Sequence, residues 1–271
     1  MTHSRHEVVA LLESHGLSPR RAFGQNFVVD PNTVRRIARL ADVGTGDRVI
    51  EIGAGLGSLT LALVESGARV TAIEIDRGIV PVLRDVVSGL DVDVIEGDAM
   101  KLDWAAIAPP TQKATVVANL PYNVATPLVA DLLDRVPGVA RLVVMVQREV
   151  ALRLAAAPGS PDYGAVSVKV AYWGRARLLG DVPPTVFVPR PKVTSSIVEI
   201  SRRDQPAVDV DPMLLFSLVR TAFGQRRKML RRSLADAVSP EMFTTAGVDP
   251  SARPETLSVH DWGRLATAVG G

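Results

Sequence analysis

Five short apolar runs, at 48–52, 69–75, 92–96, 115–118 and 141–146, recur through the first half of the chain with helical patterns between them. This alternation constrains the fold more than any other feature. Short apolar, β-branched runs are strands buried on both faces, and such strands alternating with helices build a parallel sheet covered on both sides. The intervening helices are predicted over 58–65, 77–87, from Thr126-Pro127 onward and over about 148–157. Ahead of the sheet, an amphipathic helix at 5–15 ends at Gly16, and Asp30-Pro31 supplies the N-cap and first position of another helix. Further on, 165–173 alternates like a strand but fits a buried helix equally well, since periodicity does not separate the two. A strand is predicted at 193–200 and an acidic, proline-containing linker at 201–212, and the rest is helical. Two domains follow: 1–203 around the sheet and a small all-helical 204–271.

Composition narrows the class. No stretch approaches the roughly 20 apolar residues that span a bilayer, and the N-terminus lacks a signal-peptide core. With no Cys there is no disulfide, thiolate metal site or Cys nucleophile, and four scattered His leave little for a metal centre. A cytoplasmic protein with no metal and no membrane partner is expected. Nothing suggests a coiled coil or a large apolar interface, so a monomer is expected. The net charge of +2 is segregated: 51–103 holds ten acidic residues against four basic, and 202–232 eight basic against three acidic. Such clustering bears on partners, not on fold.

The strand at 115–118 runs into Asn119-Leu120-Pro121-Tyr122. In open α/β sheets the carboxyl ends of the strands form the ligand crevice. These four residues offer an amide, carbonyls on a proline-stiffened turn and an aromatic face, a set suited to a planar amine. Glu51-Ile52-Gly53-Ala54-Gly55-Leu56-Gly57 joins the first strand to the first helix, where glycines let the backbone approach a ligand closely. Glu74 ends the second strand and can accept both ribose hydroxyl hydrogens. Asp98 follows the third and can reach an exocyclic adenine amine. Three acids at successive strand ends suit a neutral or cationic nucleoside better than a phosphate. A nicotinamide dinucleotide is disfavoured because Ser58 stands where its fingerprint asks for a third glycine.

The glycine loop, Glu74, Asp98 and Asn119–Tyr122, in strand order, resemble S-adenosyl-L-methionine-dependent methyltransferases of nucleobase amines. More specifically, the chain resembles the ribosomal RNA adenine dimethyltransferases. The resemblance is carried by Phe23-Gly24-Gln25-Asn26-Phe27, the stretch 186–195 (Val-Phe-Val-Pro-Arg-Pro-Lys-Val-Thr-Ser), Phe223-Gly224-Gln225-Arg226-Arg227-Lys228 and Arg253-Pro254-Glu255-Thr256-Leu257-Ser258. It implies a class I, Rossmann-like methyltransferase sheet with a small helical C-terminal domain. It also implies two methyl transfers to each of two adjacent adenines in the 3′-terminal hairpin loop of small-subunit rRNA, the partner being the immature small subunit. Carried over by position, the cofactor contacts are Asn26, Val28, Gly53, Gly55, Glu74, Asp98 and Asn119. Val28 stands where many relatives have Leu. Relatives that modify large-subunit rRNA share the first two-thirds of the pattern but tend to lack the last two motifs, which leaves a large-subunit target as the alternative. An assembly factor acting mainly by binding is a further one.

Asn119 Oδ1 and the Leu120 or Pro121 carbonyl are expected to accept the two hydrogens of an adenine amine. Tyr122 would stack on one face of the base and Phe187 on the other. Arg227 with Arg231 and Lys228 with Arg232 are i, i+4 pairs on a helix predicted over 221–234. With Arg226 they place five basic residues in seven, which suits RNA phosphates; Arg20, Arg21 and Arg190 extend that surface.

Overall fold

The computed structural model describes residues 2–20 and 23–271, so Arg21 lies outside the described residues. The chain forms two compact units, Met1–Ala151 with Arg177–Ser201, and Leu152–Ala176 with Arg202–Gly271.

In the larger unit, helix α1 (Arg5–Ser14), strand β1 (Phe27–Val28) and α2 (Pro31–Ala41) precede the sheet. There follow β2 (Arg48–Ile52), α3 (Ser58–Glu65), β3 (Arg69–Glu74), α4 (Val80–Val86), β4 (Val92–Glu96), the short α5 (Trp104–Ile107), β5 (Ala114–Asn119), α6 (Ala125–Arg135) and β6 (Val139–Gln147). Helix α7 (Arg148–Leu154) leads out of this unit, and β7 (Gly174–Val182), β8 (Phe187–Val188) and β9 (Ser195–Arg202) return to it. The seven-stranded sheet has the order β4-β3-β2-β5-β6-β9-β7. Strands β2 to β6 are mutually parallel and β9 is antiparallel to β6. From β2 the chain winds outward through β3 and β4, then crosses back to β5 on the other side of β2. The order reverses there, and the crevice at the carboxyl ends of β2 and β5 is the place such a sheet offers a ligand.

Local chemistry sets the elements that border this crevice. Asp30 caps α2 by accepting from the Asn32 and Thr33 amides at 3.4 and 3.0 Å, and Pro31 sits at the first helical position. Helix α2 then buries Val34, Ile37, Ala38 and Ala41 in a core with Val49, Leu63, Val70, Val117 and Val143. Each Val, Leu or Ile among them contributes on the order of 1.5–3 kcal/mol when fully buried. A second cluster packs Val8 and Leu12 of α1 onto Leu56, Ile79 and Val82, which holds α1 against the glycine loop.

The smaller unit contains α8 (Ala165–Trp173), α9 (Pro212–Gly224), α10 (Leu230–Ser233), α11 (Pro240–Ala246) and α12 (Val259–Gly270). The ambiguous 165–173 stretch is helix α8. It is buried or half-buried all round, which is why alternation imitated a strand. Val168 and Tyr172, one turn apart, join Leu215, Phe216, Phe243 and Trp262 in this unit's core. Tyr172 Oη donates to the Val210 carbonyl and Tyr163 Oη to that of Leu257, at 3.1 and 2.9 Å. These bonds explain why the second unit draws in 152–176, in addition to the predicted 204–271. The helix predicted to about 157 ends at Leu154. Strand β7 and the two-residue pairing of β1 with β8 were not predicted. No helix among the described residues is long and apolar enough to cross a membrane.

Candidate active site

The strand ends and the 23–28 segment enclose a cavity lined by Phe23, Asn26, Val28, Glu51, Gly53, Gly55, Glu74, Asn119, Leu120, Pro121 and Tyr122. A second cavity, which shares Phe23, Gly53, Ile75 and Pro121 in its walls, reaches Asp98 and Met100 at the end of β4. Six of the predicted cofactor-binding positions line the first cavity and Asp98 lines the second. Gly53 adopts φ +75°, and a Cβ there would stand 3.8 Å from the Asn119 carbonyl oxygen, in the space between β2 and β5. Gly24, at φ +63°, lies so close that a Cβ would come within 3.1 Å of the Pro121 ring. These two positions require glycine.

Glu74 is buried, and its oxygens accept the Gly55 and Asp76 amides, each at 2.8 Å. Burial raises its pKa above the ordinary carboxylate value, against the pull of those amides. A carboxylate has about four acceptor sites, so Glu74 can still receive hydroxyl hydrogens from a ligand. Asp98 Oδ1 accepts the Met100 amide at 3.0 Å and Oδ2 lies 3.7 Å from Lys101 Nζ. The lining fits S-adenosyl-L-methionine: one acceptor carboxylate, Glu74, ends β3, a second, Asp98, follows β4, and glycine backbone follows β2. Among the described residues, neither cavity lining contains a Lys or Arg to pair with a nucleotide phosphate.

Glu51, one of the three strand-end acids, was assigned no role of its own from sequence. Glu51 is almost completely enclosed and accepts the Thr60 hydroxyl at 2.5 Å. Burial, opposed by the Thr60 bond and assisted by the nearby Glu74, pushes its pKa up to about 8. Its position before the glycines was the available signal, but a strand-end acid gives no hint of such enclosure.

Asn119 ends β5, paired with Met145 in the parallel register. Its Nδ2 donates to the Asn26 carbonyl at 3.0 Å. Because that carbonyl can only accept, the amide is oriented with Oδ1 left over; no described residue donates to it. The Pro121 carbonyl already accepts the Val124 and Ala125 amides at 3.2 and 3.1 Å, which opens α6. The Leu120 carbonyl accepts from none of the described residues, so of the two carbonyls considered it is the one left open. Tyr122 is pinned through its hydroxyl to Ser195 Oγ at 2.9 Å, and burial raises its pKa.

Two expectations are corrected. Phe187 does not line either cavity: it is 1% exposed in β8, paired with Val28, within the core that contains Val34 and Ile37. It supports the site from behind and cannot stack on a ligand. The helix predicted over 221–234 is also broken. Helix α9 stops at Gly224, Gln225 leaves the helical region at φ −124°, and α10 begins only at Leu230. The i, i+4 pairing of Arg227 with Arg231 and Lys228 with Arg232 therefore does not exist. Leu230 and Leu234 still point into the core while Arg226, Arg227, Lys228, Arg231 and Arg232 are all exposed. Arg226 donates to the Pro161 carbonyl at 2.9 Å and lies 3.9 Å from Glu255. The other four make no ion pair among the described residues.

The ribosomal RNA adenine dimethylase family model matches residues 16–269. The chain is 47% identical to ribosomal RNA small subunit methyltransferase A of Cutibacterium acnes, over 94% of this chain and 90% of that one. It is 44% identical to the protein of the same name from Acidothermus cellulolyticus, over 97% and 93%. Among solved structures, the 23S rRNA methyltransferase ErmE superposes with TM-score 0.70 at 26% identity, over 91% of this chain and all of ErmE. A dimethyladenosine transferase from Plasmodium falciparum, with TM-score 0.71 at 24% identity over 87% and 94%, shares the fold. The chain belongs to the ribosomal RNA adenine dimethylase family, whose methyl donor is S-adenosyl-L-methionine.

Proposed function

We propose that this protein dimethylates the 6-amino groups of two adjacent adenines in the 3′-terminal hairpin loop of small-subunit rRNA, acting in the cytoplasm as a monomer on the immature small subunit. The observation that carries the reading is the Asn119 amide, fixed by the Asn26 carbonyl with Oδ1 unclaimed beside the open Leu120 carbonyl. An adenine amine is a poor nucleophile because its lone pair is delocalised into the ring. Two acceptors that take its hydrogens favour a pyramidal nitrogen, freeing the lone pair. They also stabilise the positive charge that develops there. When bound, S-adenosyl-L-methionine supplies an electrophilic methyl group. Glu74, Asp98, Asn26, Val28, Gly53 and Gly55 are the residues that would hold it, and Asn119 borders both partners, so orientation supplies much of the rate. No strong base is required, since the product ammonium loses its proton readily to water. Tyr122, with its ring held by Ser195, offers the stacking face. A base reaches such a site only when unstacked, which is easiest in a loop.

Arg227, Lys228, Arg231 and Arg232, exposed on the 152–176 and 202–271 unit, suit RNA phosphates, which add affinity without sequence choice. Identity of 44–47% to small-subunit methyltransferases over nine-tenths of each chain favours that target over the large-subunit one of ErmE, at 26%. The test is transfer of labelled methyl groups to unmodified small subunits, large subunits and naked rRNA of each. Label confined to adenines of the small subunit's 3′ end is the expected result. Label in the large subunit moves the target, and tight binding without label makes the protein an assembly factor.

A further inference from the structure

Asp76, two residues beyond the cofactor carboxylate Glu74, is 2% exposed and belongs to none of the groups assigned above. Its carboxylate gathers three donors. Oδ2 accepts Gln25 Nε2 at 2.9 Å, and Oδ1 accepts the Gly78 amide at 3.0 Å and lies 3.2 Å from Arg20 Nη1. Its backbone amide donates to Glu74 Oε1 at 2.8 Å. Gln25 is held at its other end, where Oε1 accepts the Arg20 amide at 2.7 Å. Neither amide atom of Gln25 can then be exchanged for the other without setting two donors face to face. The next residue, Asn26, presents the carbonyl that orients Asn119.

A continuous path thus runs from the cofactor carboxylate to the substrate acceptor: Glu74, Asp76, Gln25, Asn26, Asn119. Gly24 is packed against Pro121 at the same place, so a shift of the 23–26 segment moves both the Asn26 carbonyl and the Asn119–Tyr122 turn. We infer that Asp76 is a positioning residue for methyl transfer, which sets the Asn119 amide by anchoring Gln25 and Arg20 while touching neither cofactor nor base. The inference rests on the proposed role of Asn119. A hydrogen bond to an ionised carboxylate is among the stronger ones available to a protein, and small misplacements of a reacting group are costly.

The test uses the full chain and two substitutions that invert one bond. In Asp76→Asn the new amide still accepts from Gly78 but turns its NH₂ toward Gln25 Nε2, donor against donor. In Gln25→Glu two carboxylates face each other. The double substitution restores a single bond of reversed polarity, with position 76 donating and position 25 accepting, and keeps an acceptor for the Arg20 amide. Two readouts are taken: the single-turnover rate of methyl transfer to small subunits, and hydrogen exchange of the Asn119 side-chain amide in selectively labelled protein.

Each single substitution should slow transfer by about tenfold or more and remove protection of the Asn119 amide. S-adenosyl-L-methionine affinity should change much less, because Glu74 is held by backbone amides. The double substitution should recover both readouts to within about threefold of the parent. An Asn119 signal unmoved by Asp76→Asn, or a loss that the double substitution leaves in place, overturns the inference. An inactive parent chain whose Asn119 signal follows the pattern instead refutes the methyltransferase reading and leaves Asp76 as the anchor of that amide.

Discussion

Replacing Asn119 by Ala removes two separable things. One is the Oδ1 acceptor, and the other is the 3.0 Å bond from Nδ2 to the Asn26 carbonyl. An acceptor or donor aimed in advance at charge that develops during reaction is worth about 10²–10³ in rate, or roughly 2.7–4 kcal/mol. The lost bond costs about 1 kcal/mol of stability, since Asn26 and Asn119 are only half-buried and water can replace the donor. The Leu120 carbonyl stays in place, so transfer should fall by about 10²–10³ without vanishing, while the folded state survives and Glu74 still holds the cofactor. Single-turnover transfer of labelled methyl groups, with calorimetric binding of S-adenosyl-L-methionine, separates these effects. Asn119→Asp sharpens the argument. It retains acceptor oxygens of the same shape but has no N–H for the Asn26 carbonyl, so it should be nearly as slow as Ala. A rate for either variant within a few-fold of the parent would refute the reasoning, because an acceptor that is dispensable or indifferent to its orientation is not the catalytic group.

Other consequences follow from the same geometry. Tyr122→Ala should slow transfer by about tenfold or more, as base–aromatic stacking is worth about 1–3 kcal/mol, and should cost about 1 kcal/mol of stability through the lost bond to Ser195. Phe187→Ala should instead cost about 3–5 kcal/mol of stability in denaturant unfolding, and equal melting of the two variants would contradict the core placement of Phe187. Reversing charge at Arg227 and Arg231 should weaken RNA binding and lower the slope of log affinity against log salt by about 1–2; an unchanged slope removes these residues from the RNA surface. Glu51 is held protonated in the folded protein up to about pH 8, against an ordinary value of 4.5. Between those values the unfolded chain releases its proton while the folded one keeps it, so this group's contribution to stability is lost as pH rises. Glu51→Gln, which does not titrate, should gain in melting temperature relative to the parent from about pH 5 to about pH 8, and a constant difference across that window would show that Glu51 is not so held.

The sheet was readable because each of its parallel strands is a short run built mostly of β-branched and other apolar residues. Strands β2 and β4 and helix α3 fall where their residues predict them, since each ends at glycine or charge. Strand β7 escaped because its exposed Arg175, Arg177 and Leu178 break any alternation, as suits a strand with a neighbour on one side only. The β1–β8 pair is two residues long on each strand and carries no period at all. In the site, residue types at strand ends pointed to Glu74, Asp98 and Asn119, because the topology alone brings those ends together. Phe187 misled for a related reason: flanking prolines mark a rigid aromatic but not which way it faces. The basic stretch misled because charge spacing was read without the Gly224-Gln225 break. Nothing in the sequence marks Asp76 or Gln25 as partners, since a bond between residues 51 positions apart leaves no local pattern.

The path of the chain through its two units has a practical reading. The polypeptide passes from one to the other after Ala151, again after Ala176 and once more after Ser201. The smaller unit is therefore not encoded by a contiguous stretch of gene. A fragment begun at residue 204 would omit Tyr163, Val168 and Tyr172 from its core and should be recovered as an unfolded or aggregated product. Cleavage in the acidic 203–211 segment would leave Leu152–Ala176 with the other product. A separable, transplantable form of the smaller unit would need the two pieces rejoined by a designed connection.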